Sequence, residues 1–122
     1  MTYEDGSTFS STMLMSGQFD WTAEFDMGIF SREYSTPNSG THTVQVNSIS
    51  NCNNSYDTPY IRLEQKTWYG WSDQGTKEFS CGGGTLRWSG MESDTYRWFL
   101  GIDGTSSGSD YGRYTSGTTY YP

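Results

Sequence analysis

The sequence predicts an all-β fold, a single-domain antiparallel β-sandwich of about seven or eight strands closed by one disulfide, and three observations carry that expectation. The first is QFDWTAEFDMGIF, where Phe19, Trp21, Ala23, Phe25, Met27 and Ile29 alternate with Asp20, Thr22, Glu24, Asp26 and Gly28. Period two over this length gives a strand with one buried face and one acidic, solvated face, whereas at helical period the same apolar residues would go all round the cylinder. The second is composition: Ala, the best helix former, occurs once, at Ala23, while Thr, Ser, Gly, Tyr and Asn abound, which favours strands joined by polar turns. The third is the regular return of turn signals between short apolar runs, with no convincing helix among them. Such spacing suits two packed sheets, with a β-barrel as the alternative.

The elements follow in order. STFSSTMLM is a strand without strong alternation, and Ser16-Gly17 is a turn that pairs it with the acidic strand as a hairpin. Residues 1–15 are an extended segment that could also be exchanged with a neighbouring chain. STPNSG, residues 35–40, is turn chemistry, and THTVQVNSIS is a strand with Val44 and Val46 on one face. NCNNSYDTP is a polar loop. PYIRLEQKTW is a strand with Ile61 and Leu63 inward and Arg62, Glu64 and Lys66 outward. The same phase puts Trp68 on the solvent face unless a bulge intervenes. TKEFSC places Lys77, Phe79 and Cys81 on one face, GGG at 82–84 breaks that strand, and TLRW offers Leu86 and Trp88. TYRWFLGI has Tyr96, Trp98, Leu100 and Ile102 inward and Thr95, Arg97 and Phe99 outward. DGTSSGSDYGRYTSG is a long loop before a short final strand, GTTYY.

The core must be largely aromatic. Two Val, four Leu and four Ile stand against ten Tyr, six Phe and five Trp, and each buried ring removes about 150–250 Å² from water. The net charge of −7, with seven scattered Lys and Arg, argues against nucleic acid and anionic membranes as partners. No apolar run is long enough for a transmembrane helix. Cys52 and Cys81 match no zinc or redox spacing, so a disulfide is expected. Closing a loop of about 30 residues is worth roughly 3.5 kcal/mol on a chain-entropy argument. Two cysteines, few Lys and a surface rich in Ser, Thr, Gly and Tyr lead to the expectation of a secreted, extracellular protein.

From Cys52 to Pro122 the chain carries a Cys before a strand, a second Cys closing a later strand, a Trp strand, TYRWFLGI, a Gly and Ser-rich loop and a terminal SGTTYY. In this outline it resembles small secreted β-sandwich proteins of Gram-positive bacteria. The resemblance implies a secreted interaction domain whose terminal strand completes a sheet, and it carries over no catalytic residues.

Catalytic chemistry finds little footing. Asp20, Glu24 and Asp26 share one strand face in a way that invites comparison with retaining glycosidases of the laminarinase type, but the position where that pattern needs a second Glu is Ile29. His42 is the only histidine and no Ser sits in a nucleophile elbow, so a surface histidine at a strand end is the better reading. Asp103, Ser106 and Asp110, or the strand carboxylates, offer oxygens to calcium without any EF-hand spacing; no cofactor is otherwise expected. Asn53-Asn54-Ser55 matches a glycosylation sequon, read as a polar loop.

The stretch KTWYGWSD is the candidate site. Trp68, Tyr69 and Trp71 with Asp73 form either an anchor for a protein partner or a platform on which the apolar CH faces of sugar rings stack. Three functions follow. The leading one is a non-enzymatic, secreted protein-binding domain, a small subunit of an extracellular assembly such as a toxin complex, filament or cell-surface structure, binding another protein or itself. The second is a carbohydrate-binding module or lectin. The third is an acidic inhibitor or immunity-type protein that blocks a basic partner.

Overall fold

A computed structural model describes residues 1–15, 17–104 and 112–122. The ten strands among the described residues are β1 (Thr8–Met15), β2 (Gln18–Phe25), β3 (Gly28–Phe30), β4 (Tyr34–Ser35), β5 (Gly40–Val46), β6 (Asp57–Thr67), β7 (Gly70–Glu78), β8 (Gly84–Met91), β9 (Thr95–Gly104) and β10 (Arg113–Tyr120). All pair antiparallel. One sheet has the order β1-β2-β10-β5-β8; the other is β3-β9-β6-β7, with β4 also on β9. The result is a sandwich of two sheets rather than a barrel. No helix among the described residues is long and apolar enough to cross a membrane. The N-terminal strand expected to be exchangeable is paired with β2 of its own chain, from Thr8 opposite Glu24 to Met15 opposite Gln18.

The core between the sheets is as aromatic as composition requires. Trp21 and Trp98 meet edge to face at 4.8 Å, Phe9 packs on both, and Phe19, Tyr34 and Tyr121 continue the layer. Trp98 Nε1 donates to Thr119 Oγ1 at 3.1 Å across the sandwich, so its one polar atom is satisfied inside. The disulfide joins Cys52 to Cys81 with Cα atoms 5.6 Å apart, tying the loop after β5 to the β7–β8 connection.

Several expectations are corrected. The run from Phe19 to Ile29 is two strands, not one: β2 lies in the first sheet and β3 in the second. Alternation survives the crossover because the inner faces of both sheets address one core. Met27 is the exception, turned partly to solvent. The crossing is fixed from both sides: Arg113 Nη1 donates to the Asp26 carbonyl at 2.5 Å, and the Ile102 amide donates to the Met27 carbonyl at 3.0 Å. Arg113 itself falls in what read as loop. It opens β10 fully buried, with Nε donating to the Asn51 carbonyl at 2.9 Å and Nη2 lying 3.6 Å from Asp57 Oδ2. A guanidinium removed from water persists only with such partners.

The TKEFSC strand is in fact the end of β7, which begins at Gly70 and stops before Phe79. His42 is not a surface residue. It is 0% exposed and packs on Tyr96 with ring centroids at 4.3 Å; its Nδ1 and the Tyr34 hydroxyl are 3.1 Å apart. The phase of His42 is that of Val44 and Val46, so it was legible as an inward position.

Candidate functional site

The predicted tip forms because β6 and β7 pair as a tight hairpin, with Lys66 opposite Trp71 and Thr67 opposite Gly70. That leaves Trp68 and Tyr69 as the two loop residues. Gly70 takes φ = 149°, a conformation open to glycine at little cost. Trp68 is 94% exposed and Tyr69 72%, their rings edge to face at 5.1 Å. The outward phase of Trp68 read from Ile61 and Leu63 is the observed one. Trp71 is half-buried and lies on the outer face of the second sheet. Asp73 sits two positions along from Trp71, at a bulge where Asp73 to Thr76 faces Arg62 to Glu64; its Oδ1 accepts the Gly75 amide at 2.7 Å. The hairpin thus brings Trp68 and Tyr69 together at the tip and sets Trp71 and Asp73 back along the sheet.

Around Trp71 the outer face carries residues that sequence reasoning placed outward without grouping them. Cross-strand register sets Arg62 opposite Phe99 and Glu64 opposite Arg97, and Phe30 opposite Phe99 on the other flank. The rings of Phe30 and Phe99 lie 4.8 Å apart, and Tyr60 is 6.2 Å from Phe99. A glycine pair makes room for them: Gly28 is opposite Gly101, and Phe99 and Tyr60 lie over the bare backbone where a Cβ would collide with their rings.

The cations of this face are held in place. Arg97 has its guanidinium carbon 4.0 Å from the Phe30 ring and 4.2 Å from the Trp71 ring, while Arg62 lies 5.1 Å over Phe99 and Lys66 Nζ 5.9 Å from Trp71. Glu64 joins them, Oε2 accepting from Arg62 Nε at 2.8 Å and Oε1 from Arg97 Nε at 2.7 Å. Expected on the solvent side, Glu64 is only 7% exposed: it points outward as its phase requires, but the two guanidiniums cover it. Two charge-assisted bonds to one carboxylate fix both arginines and offset its desolvation. At the tip end, Gln65 Nε2 donates to Glu92 Oε1 at 2.6 Å and to Asp94 Oδ2 at 2.9 Å. The second of these bonds and one from the Thr95 amide hold the Asp94 carboxyl below its ordinary pKa.

The remaining candidates do not converge. Asp20 and Glu24 share the outer face of the first sheet, and Asp26 turns toward Arg113 at 3.5 Å. Asp103 lies exposed near the end of β9, whereas Ser106 and Asp110 lie outside the described residues. Among the described residues no three His, Cys, Asp or Glu side chains are grouped to hold a metal. In the sequon loop, Asn53 Oδ1 accepts the Ser55 amide at 2.9 Å.

No protein-family model matches the sequence, and no curated protein matches it. Among solved structures, the chain is similar to a CBM4 carbohydrate-binding module, at 8% identity over 97% of this chain and 88% of that one, with a TM-score of 0.51. It is also aligned with a CBM61 module in complex with β-1,4-galactotriose, at 7% identity over 93% and 86% and a TM-score of 0.49. A xylan-binding CBM15 module aligns at 14% identity over 95% and 97%, with a TM-score of 0.40. At these identities the likeness, carried by the CBM4 structure, is one of fold: this chain folds as a β-sandwich of the kind found in that module.

Proposed function

We infer that the protein is a non-catalytic carbohydrate-binding domain that contacts a glycan chain through Trp68 and Tyr69 at the β6–β7 tip and through the adjoining outer face of the β3-β9-β6-β7 sheet. The observation that carries this reading is the exposure of Trp68. A Trp ring left 94% open to water contributes almost nothing to the core, and the apolar face it offers is what the CH face of a pyranose ring covers. Trp71, braced by Arg97, extends that surface, and the guanidinium forks of Arg62 and Arg97 supply donors for sugar hydroxyls. The sandwich shared with a carbohydrate-binding module is consistent with this use and does not by itself establish it.

The test is affinity electrophoresis and calorimetry against a panel of neutral polysaccharides: xylan, β-1,4-galactan, mixed-linkage β-glucan and amylose. The expected result is binding to at least one member, weakened by at least ~10-fold, about 1.4 kcal/mol, in Trp68→Ala. The thermal midpoint of that variant should be unchanged. Failure of every glycan to bind overturns the reading.

One observation favours a protein partner instead. Trp, Tyr and Arg are the residue types that dominate interface hot spots, and the β6–β7 hairpin carries Trp68 and Tyr69 at its tip and Trp71, under Arg97, behind them. Light scattering that shows a concentration-dependent dimer lost in Trp68→Ala would select that second reading.

A further inference from the structure

The opposite face of the sandwich carries a second feature that the aromatic tip does not use. On the outer side of the first sheet a trough of about 400 Å³ runs over β1, β2 and β10. Register places its side chains in two cross-strand rows. In one, Ser10 faces Thr22 and Thr22 faces Ser116, with Asn47 beside them; in the next, Thr12 faces Asp20 and Asp20 faces Thr118. Tyr114 walls one end, 45% exposed.

Part of this polar surface is fixed by internal bonds. Thr118 Oγ1 donates to Asp20 Oδ1 at 2.7 Å, and Gln45 Nε2 donates to Asn47 Oδ1 at 2.9 Å while Asn47 Nδ2 donates to Ser116 Oγ at 2.9 Å. These bonds have a direction. Ser116 accepts from Asn47 and keeps its own hydroxyl proton to give; Asp20 keeps Oδ2 to accept. The hydroxyls of Ser10, Thr12 and Thr22 make no side-chain hydrogen bond among the described residues, and each can both donate and accept.

We propose that this trough is a second, independent binding site for a neutral, hydroxyl-rich chain, a polysaccharide or oligosaccharide without charged substituents. Three properties of the surface select that class. Its hydroxyls, amide and single carboxylate alternate donors with acceptors, as a row of sugar hydroxyls does. It has no cation, and Asp20 and the neighbouring Glu24 repel phosphate, sulfate or uronate. Its outward side chains are polar, with Trp21 reaching it only beneath the bare backbone of Gly117, whereas the centre of a protein interface is enriched in aromatic and other apolar anchors and depleted in Ser. Tyr114 supplies the one ring face at the end of the trough, and Tyr120, six positions along β10 on the same side, lies roughly 20 Å away at ~3.4 Å per residue, a span that a short oligosaccharide fills. Short Ser and Thr side chains lose little rotamer freedom on contact, which keeps the ordering cost low. With the aromatic tip on the other sheet, the protein would hold two chains at once.

The test uses the full chain and the neutral panel above, with three variants: Asp20→Ala with Tyr114→Ala in the trough, Trp68→Ala with Trp71→Ala at the tip, and Thr22→Trp, which fills the trough from an outward position without removing packing. The expected result is that each trough variant weakens binding to at least one polysaccharide by ~10-fold or more. The tip variant should retain that binding, and only the wild type should cross-link polysaccharide into a precipitate. If the tip variant abolishes all binding while both trough variants bind as the wild type does, the second site is overturned and the tip reading stands. If the trough variants alone matter, the reverse holds. No binding to any member of the panel overturns both.

Discussion

His42 makes the stability of the sandwich depend on pH in a window set by one residue. The imidazole is fully buried; Nδ1 is beside the Tyr34 hydroxyl at 3.1 Å and Nε2 has no partner among the described residues. Tyr96 covers its face and Trp88 is its cross-strand neighbour, and among the described residues no salt bridge reaches the ring to stabilise an imidazolium. Burial lowers the pKa from the ordinary 6.5 to about 4. Tyr34 and Tyr96 have theirs raised, chiefly by burial, and stay neutral across this range.

Between those two values the unfolded chain binds a proton that the folded chain refuses, so falling pH favours unfolding. The loss begins near pH 6.5 and is complete below about pH 4. At about 1.36 kcal/mol per unit of difference, the full loss is ~3 kcal/mol, a large part of the ~5–15 kcal/mol that holds a domain together. Urea unfolding followed by far-UV circular dichroism should show the midpoint falling by ~1–3 M between about pH 7 and pH 4, for a slope of ~1–3 kcal/mol per M. The companion is His42→Gln, which keeps an acceptor for Tyr34 and cannot titrate. Its profile should be flat down to the carboxylate range, where Asp5 and Asp94, both held low by hydrogen bonds, affect both proteins alike. Identical profiles for the two proteins would refute the claim that His42 is folded in as a neutral ring.

Two further perturbations test the architecture. Reducing the Cys52–Cys81 bond should lower the unfolding free energy by roughly 3.5 kcal/mol, read from urea curves with and without reductant; a change below ~1 kcal/mol would mean the cross-link does little to restrict the unfolded chain. Trp98→Ala, which empties a fully buried site and strands the Thr119 hydroxyl, should cost about 3–5 kcal/mol. Measured beside Trp68→Ala, it gives the contrast between a core Trp and an exposed one.

What could be read in advance divides by whether the information is local. Side-chain phase is local, so the inward set Tyr96, Trp98, Leu100 and Ile102 followed from alternation alone, and extending the phase of β6 one step past Thr67 gave the exposure of Trp68 that the two-residue turn produces. Where phase was set aside for a residue's usual habit, the reading failed. His42 shares the parity of Val44 and Val46, yet its polarity suggested the surface. The crossover at Asp26 and Met27 was hidden for the opposite reason: alternation is the same whether a strand stays in one sheet or passes to the other, because both address one core. Burial of Arg113 was equally invisible, since its partners lie at Asn51, Asp26 and Asp57, far off in sequence.

The outer face around Trp71 lies between these cases. Arg62, Glu64, Arg97 and Phe99 were each legible as outward, but only register makes them a site, and register depends on which strands pair. A one-residue slip of β9 against β6 would turn its outward side chains into the core and bring its inward ones to the face. The inward set of β9 is Tyr96, Trp98, Leu100 and Ile102, all buried, so the core forbids that slip. The packing that keeps those four residues from water therefore also sets Glu64 opposite Arg97 and Arg62 opposite Phe99. The arrangement of the face is in this sense a consequence of the core on its other side, whereas Trp68, which touches neither, owes its position to the hairpin alone.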